Sequence, residues 1–245
     1  MRKTALFLLL SWAALAQTIP SPASHFGHAI GVDRELLDWD KVVSYFQALA
    51  ASSNKIIVKG LGKSTEGRPF IAATISSPET IRNLNRYLDI QAKLADPRKT
   101  TAAEAERLIG EGKTVVLITC SIHATEVAST HTAVEFAYRL LTENKPRFQE
   151  ILNNTIIILV PSLNPDGVDI VTRWYRKTLG TAYEGTSPPE LYHKYVGHDN
   201  NRDWYIFSQA ESRLTVSQLQ NVWHPQIVYD VHQQGSYASR IFVPP

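Results

Sequence analysis

The sequence predicts an α/β fold in which helices flank a central sheet with much parallel pairing. Three observations carry that prediction. Thr114–Thr119 and Thr155–Val160 are short, continuous, β-branched runs of the kind found in strands buried on both faces. A long helical pattern, from about Val127 to Thr142, lies between them. A helical stretch near Gln209–Asn221 then precedes a third apolar run, Pro225–Val231. Strands that alternate with helices in this way imply βαβ units.

In chain order, Arg2 and Lys3 precede an apolar run from Ala5 to Ala14, and Ala14-Leu15-Ala16 forms an A-x-A site before Gln17. This reads as a secretory signal peptide over residues 1–16, cleaved after Ala16. The apolar run, at about ten residues, is too short for a membrane span, which needs ~20. The expected location is secreted or periplasmic. Residues 17–37, Pro/Ser-rich at 18–24, read as a leader segment, and the main domain is expected over 38–245. From Asp38 to Ala51, the apolar residues Trp39, Val42, Val43, Phe46 and Leu49 recur at helical spacing, with Asp38 as N-cap. Two β-rich stretches follow, Lys55–Lys59 and Pro69–Ile75, the second preceded by a turn at Gly67-Arg68-Pro69. Residues 78–112 are polar and rich in Ala, Glu and Arg, as in surface helices. No element is assigned to the polar stretch between Val160 and Gln209, and a fourth apolar run begins at Arg240.

Composition narrows the function. A chain of 245 residues is one large domain or two small ones, enough to bury a core without disulfides. Cys120 is its sole cysteine, so no intramolecular disulfide forms. Removal of residues 1–16 takes away Arg2 and Lys3 and leaves 23 basic against 23 acidic side chains. That balance gives no electrostatic case for nucleic acid, and no obligate partner is inferred.

In open α/β sheets, ligands bind beyond the carboxyl ends of the strands. Here one strand end runs into His123-Ala124-Thr125-Glu126 and another into Asp230-Val231-His232, with Asp199-Asn200-Asn201-Arg202 between them. An imidazole and a carboxylate three residues apart can converge on one ion. Catalytic zinc sites take three protein ligands, and two histidines with a glutamate are a recurring set. Taken alone, H-x-x-E is better read as a hydrogen-bonded strand-end histidine followed by a first-turn helix acid.

Two further motifs, Asn164-Pro165-Asp166-Gly167 and Trp174-Tyr175-Arg176-Lys177-Thr178, complete an ordered set of five. In that order the set resembles the M14 family of zinc carboxypeptidases, over roughly residues 38–245. The resemblance implies a mixed, largely parallel central sheet flanked by helices, incomplete at the C-terminus, and one Zn2+ per chain. His123, Glu126 and His232 match the family's zinc ligands. Arg176 matches the arginine that polarises the scissile carbonyl, an always-charged donor at a developing oxyanion. Asn201 and Arg202 match the pair that binds the substrate's terminal carboxylate, and Asp199 matches the acceptor that fixes the first ligand histidine. The implied reaction is hydrolysis of C-terminal bonds in peptides or proteins by water that zinc activates.

The sequence departs from the family at Thr125, where many members have an arginine, and at Gln233-Gln234-Gly235, where a Ser-Tyr pair is usual. The insert Leu179–His198 is longer than in pancreatic-type enzymes. The family's general-base glutamate lies some 70–75 residues beyond the third ligand, so it is expected beyond residue 245. Glu184, Glu190 and Glu211 match no family position. Two other readings stay open: a zinc amidase or deacylase acting on N-acyl amino acids or cell-wall peptides, and an inactive metal-binding chain. Cys120 reads as a small buried residue rather than a ligand. His131 is two helical turns past the first ligand and His198 reads as a loop residue. Trp174, Trp204 and Trp223 are expected to pack beneath the site.

Overall fold

The computed structural model describes residues 18–190 and 199–234. The expected signal peptide, His198 and the run from Arg240 lie outside them. The elements are α1 (Pro22–Phe26), α2 (Trp39–Ser52), β1 (Ile56–Lys63), β2 (Pro69–Ile75), α3 (Pro78–Arg82), α4 (Leu84–Ala95) and α5 (Ala102–Glu111). They continue with β3 (Thr114–Cys120), α6 (Ala128–Thr142), α7 (Pro146–Asn154), β4 (Thr155–Val160), α8 (Pro165–Thr178), α9 (Ala210–Thr215), α10 (Asn221–Trp223) and β5 (Ile227–Val231).

The sheet has the order β1-β2-β4-β3-β5. It is mixed: β1/β2 and β2/β4 are antiparallel, and β3/β4 and β3/β5 are parallel. Among the described residues two of the four strand pairings are parallel, and they are the ones that carry the site. β4 shows how the sequence builds the two layers. Ile156, Ile158 and Val160 pack on one face and Ile157 and Leu159 on the other, and none is more than 4% exposed. Alternation with both faces apolar requires cover on both sides. α2, α6 and α7 supply one cover through Val42, Phe46, Leu49, Val134, Leu140 and Leu152. Tyr87 and Ile90 of α4, Leu108 of α5 and Trp223 of α10 supply the other.

Three elements differ from the sequence reading. α8 occupies the stretch to which no element was assigned. Its start is capped by Asn164, whose side chain accepts from Gly167 N–H at 2.9 Å, with Pro165 at the first helical position and Arg176 and Lys177 in the last turn. The residues read as a leader are packed. Ile19, Phe26 and Ile30 lie against the core, Leu37 is buried, and Tyr45 Oη donates to the Pro20 carbonyl at 3.0 Å. The helix expected near Gln209–Asn221 runs unbroken from Ala210 to Trp223, but α9 and α10 are joined inside it by a π turn, Val216–Gln220. α2 begins where expected, but Asp38 makes no side-chain cap. The Trp39 N–H instead donates to Asp169 Oδ1 of α8 at 2.9 Å. Among the described residues no helix is long and apolar enough to cross a membrane.

Candidate metal centre

β3 and β5 run in parallel with Cys120 opposite Val231, so the chain leaves both strands at one edge of the sheet. β4 ends there too, with Thr119 opposite Val160. The loop after β3 opens on Ser121 at φ 50°, a left-handed conformation that costs a non-glycine residue about 1–2 kcal/mol. The surroundings hold it there. Ser121 N–H donates to Ser129 Oγ at 2.9 Å, its hydroxyl bonds Ser129 Oγ at 2.7 Å, and Thr130 Oγ1 donates to Ser121 Oγ at 2.8 Å. The reversal brings His123 and Glu126 over the strand ends.

His123, Glu126 and His232 form a cluster whose ligand atoms lie within 4.8 Å of one another. His123 Nδ1 stands 2.8 Å from Glu126 Oε1, and His232 Nδ1 stands 3.3 Å from Glu126 Oε2. Atoms about 2.0–2.1 Å from one ion in tetrahedral array are separated by roughly 3.3 Å, so the three donors fit zinc in both chemistry and spacing. Each imidazole is gripped from behind. His123 Nε2 donates to Asp199 Oδ1 at 3.0 Å and His232 Nε2 to Asp230 Oδ2 at 2.8 Å, so both rings turn Nδ1 toward the centre. Burial alone would lower the His123 pKa, but the Glu126 and Asp199 carboxylates outweigh it and hold it above the ordinary value. Burial would likewise raise Asp199, yet the Asn201 N–H, His123 and Arg202 together hold its pKa down. Three carboxylates around two imidazoles make a cation site.

Asp199, Asn201 and Arg202 are brought together in one short 3-10 turn, Asn200–Arg202. Asp199 Oδ1 also accepts the Asn201 N–H at 2.7 Å, and Arg202 is exposed beside it. Arg176 is not brought to the centre. It lies in the last turn of α8, where Nη1 donates to Asp38 Oδ1 at 2.6 Å and Nη2 to the Leu36 carbonyl at 2.9 Å. Trp223 packs in the core beneath the sheet, and Trp204 donates to Asn201 Oδ1 at 3.3 Å. Trp174 does not lie beneath the site. It walls a cavity of about 290 Å3 with Leu36, Thr125, Val127, Tyr175 and Pro188, next to the metal loop.

Several residues join the site that the sequence reading left without a role. Asp230 is one, and it also accepts from Thr119 Oγ1 at 2.7 Å. Gln233 is another: its N–H donates to Glu126 Oε2 at 2.7 Å and its Oε1 accepts the Ala128 N–H at 2.8 Å. The signal for Asp230 was a carboxylate two residues before His232, close enough to reach its ring at the strand end. The N-P-D-G motif is structural. Asn164 Nδ2 donates to the Ile122 carbonyl at 3.1 Å, and buried Asp166 accepts from Ser64 Oγ at 2.6 Å, Arg68 Nη1 at 2.8 Å and Glu66 N–H at 2.9 Å. Glu211 is structural too, accepting the Thr65 N–H at 2.7 Å and its hydroxyl at 3.0 Å. Cys120 is buried with its thiol pushed up to about 12, first by burial and then by Asp230, and His131 accepts the Leu37 N–H at 3.2 Å.

Comparison with known proteins places the fold and the family. Among solved structures, the fold is similar to carboxypeptidase A from Helicoverpa armigera, at 21% identity over 83% of this chain and 47% of that one, with a TM-score of 0.53. It is similar to thrombin activatable fibrinolysis inhibitor, at 14% identity over 89% of this chain and 50% of that one, TM-score 0.58. A metallo-carboxypeptidase from Burkholderia cenocepacia matches at 18% identity over 78% and 40%, TM-score 0.53. The chain therefore spans half or less of the length of these structures. The family model described as zinc carboxypeptidase matches residues 42–228, most of the sequence. With its ordered motifs and its His-Glu-His cluster at the strand ends, the chain belongs to the M14 family of zinc carboxypeptidases.

Proposed function

We propose that this is a secreted zinc metallocarboxypeptidase that hydrolyses C-terminal peptide bonds. The observation that carries the reading is the pair of imidazoles whose Nδ1 atoms face Glu126 while their Nε2 atoms are held by Asp199 and Asp230. Zinc held by His123, Glu126 and His232 would supply Lewis acidity and an ionisable water. Asp199 and Asp230 fix the tautomers that leave both Nδ1 atoms free to ligate. Asn201 and exposed Arg202, on the turn that supports His123, offer an amide and a guanidinium fork to a terminal carboxylate, which selects chain ends. Arg176, as placed, holds Asp38 and Leu36, so a role at the scissile carbonyl requires that pair to open. The apolar run at residues 5–14 supports export.

Zinc content and product analysis test the reading. The expected result is close to one zinc per chain, lost in the His123→Ala/His232→Ala variant. Full metal retention by that variant overturns the ligand set. Release of free C-terminal residues from peptides, rather than hydrolysis of N-acyl amino acids, is the expected activity, and the opposite preference favours an amidase.

A further inference from the structure

Behind the turn that carries Asp199, two buried polar groups lack a protein partner. Asn200 is 6% exposed and Gln209 is 5% exposed, and neither Asn200 Oδ1 nor Gln209 Nε2 is hydrogen-bonded. An orphaned buried polar group costs about 1–3 kcal/mol, so two in one place need an explanation. Both residues line the same cavity, of about 10 Å3, with Ile122, Leu163, Glu211 and Ser212. That is room for about one water. One orphan is an acceptor and the other a donor. A bare cation does not suit the donor, and an anion does not suit the acceptor. Water satisfies both at once.

We infer that this cavity holds one internal water, which accepts from Gln209 Nε2 and donates to Asn200 Oδ1. The oxygens of Glu211 and Ser212 in the same lining offer an acceptor for its second proton. Internal waters typically make about three such bonds. The water completes a connection that the protein makes only in part. Buried Asp203 anchors the far end of the turn to α9, accepting the Gln209 N–H at 3.0 Å and the Ser212 hydroxyl. The water anchors the near end, at the residue adjoining Asp199. Gln209 is therefore a positioning residue for His123, acting through the water, Asn200 and Asp199. His232, held by Asp230 on β5, meets this chain of contacts only at its far end, through the Glu126 carboxylate that it shares with His123.

A high-resolution crystal structure of the unsubstituted protein tests the site directly. A water within hydrogen-bond reach of both amides is expected. A dry cavity, or the two amides bonded to each other, overturns the proposal, and this holds even if variants fail to fold. Gln209→Leu tests the positioning role by proton NMR of the two imidazole Nε2–H signals. The expected result is a shifted or broadened His123 signal with a smaller change at His232, which the perturbation reaches only through Glu126 and the His123 ring. An unchanged His123 signal, or equal shifts of both, overturns the role. Gln209→Leu should also raise the unfolding constant about five- to a hundredfold. Asn200→Leu/Gln209→Leu, which removes both orphans, should recover much of that loss, and a double variant weaker than the single one counts against the shared water.

Discussion

Replacing Gly167 by alanine should damage the metal centre although Gly167 touches no metal ligand. Its backbone is ordinary helix, at the third residue of α8, where alanine is normally favoured over glycine by about 1 kcal/mol. The space decides otherwise. An added Cβ would lie 2.6 Å from Ala124 Cβ, 2.7 Å from Asn164 Nδ2 and 2.8 Å from Asn164 Cγ. None of these atoms is the free end of a flexible chain. Ala124 stands between His123 and Glu126, and Asn164 is fixed by its bonds to Gly167 N–H and the Ile122 carbonyl. Overpacking costs about 1–3 kcal/mol, and loss of the Asn164 cap adds about 1 kcal/mol. Against the propensity gain, the net expectation is destabilisation by about 1–3 kcal/mol. Displacement of Ala124 should also weaken zinc by tenfold or more, in the range of losses seen when a ligand's support is removed, about 10–100-fold. Urea unfolding and zinc competition against a chromophoric chelator measure the two effects. Gly110→Ala is the control, since Gly110 is exposed in α5 with nothing near its Cβ, and it should stabilise by about 0.5–1 kcal/mol. Gly167→Ala with undiminished stability and zinc affinity would refute the reasoning.

Asp230→Asn should lower zinc affinity about 10–100-fold in the same competition assay, because His232 loses the carboxylate that sets its tautomer. An unchanged affinity would show that the Asp230 contact has no bearing on the metal. His131 is lowered first by burial and then by His28, and as a neutral acceptor it receives the Leu37 N–H. Its contribution to stability is therefore full above the unfolded value near 6.5 and is lost as pH falls through the lower folded value. Stability against pH should fall less steeply below 6.5 in His131→Gln than in the unsubstituted protein, and parallel curves would contradict the assignment. With its thiol pushed up to about 12, Cys120 should resist iodoacetamide in the folded protein and react at the rate of unfolding. Rapid native-state labelling would show that the end of β3 opens locally.

The two strands read with matching ends, β2 and β4 at Pro69–Ile75 and from Thr155 to Val160, are β-branched or apolar runs bounded by turn residues. A local pattern fixes such elements. The triad was legible for a different reason, the order of five motifs along the chain. α8 was not, although Asn164, Pro165 and the basic last turn spell out a helix. Its first residues were read only as a motif, and their partners, buried Ser64 and half-buried Arg68, lie about 100 residues away. The same separation hid the fate of Arg176. Nothing near it in sequence indicates that Asp38, 138 positions earlier, takes its guanidinium. Asp230 was visible as a letter near His232, but its role follows only from the turn of the chain at the end of β5 that brings His232 Nε2 back to its carboxylate.

The position of His232 ties metal to fold. β5 is the edge strand among the described residues, and Ile227, Val228 and Tyr229 are each more than half exposed. The strand is held by its ladder to β3, by Thr119 to Asp230, by the bonds of Gln233 to Glu126 and Ala128 just past its end, and by whatever joins His232 to Glu126. An ion shared by those last two side chains clasps the edge strand to the loop after its neighbour. It then stabilises the docked strand in proportion to the logarithm of free zinc over its dissociation constant. Chelation should loosen β5 before the rest of the sheet, visible as faster amide exchange confined to Ile227–Val231. A loosened apolar edge is a template for pairing with other chains, so a zinc-loaded sample should aggregate more slowly than a chelated one, which light scattering would measure.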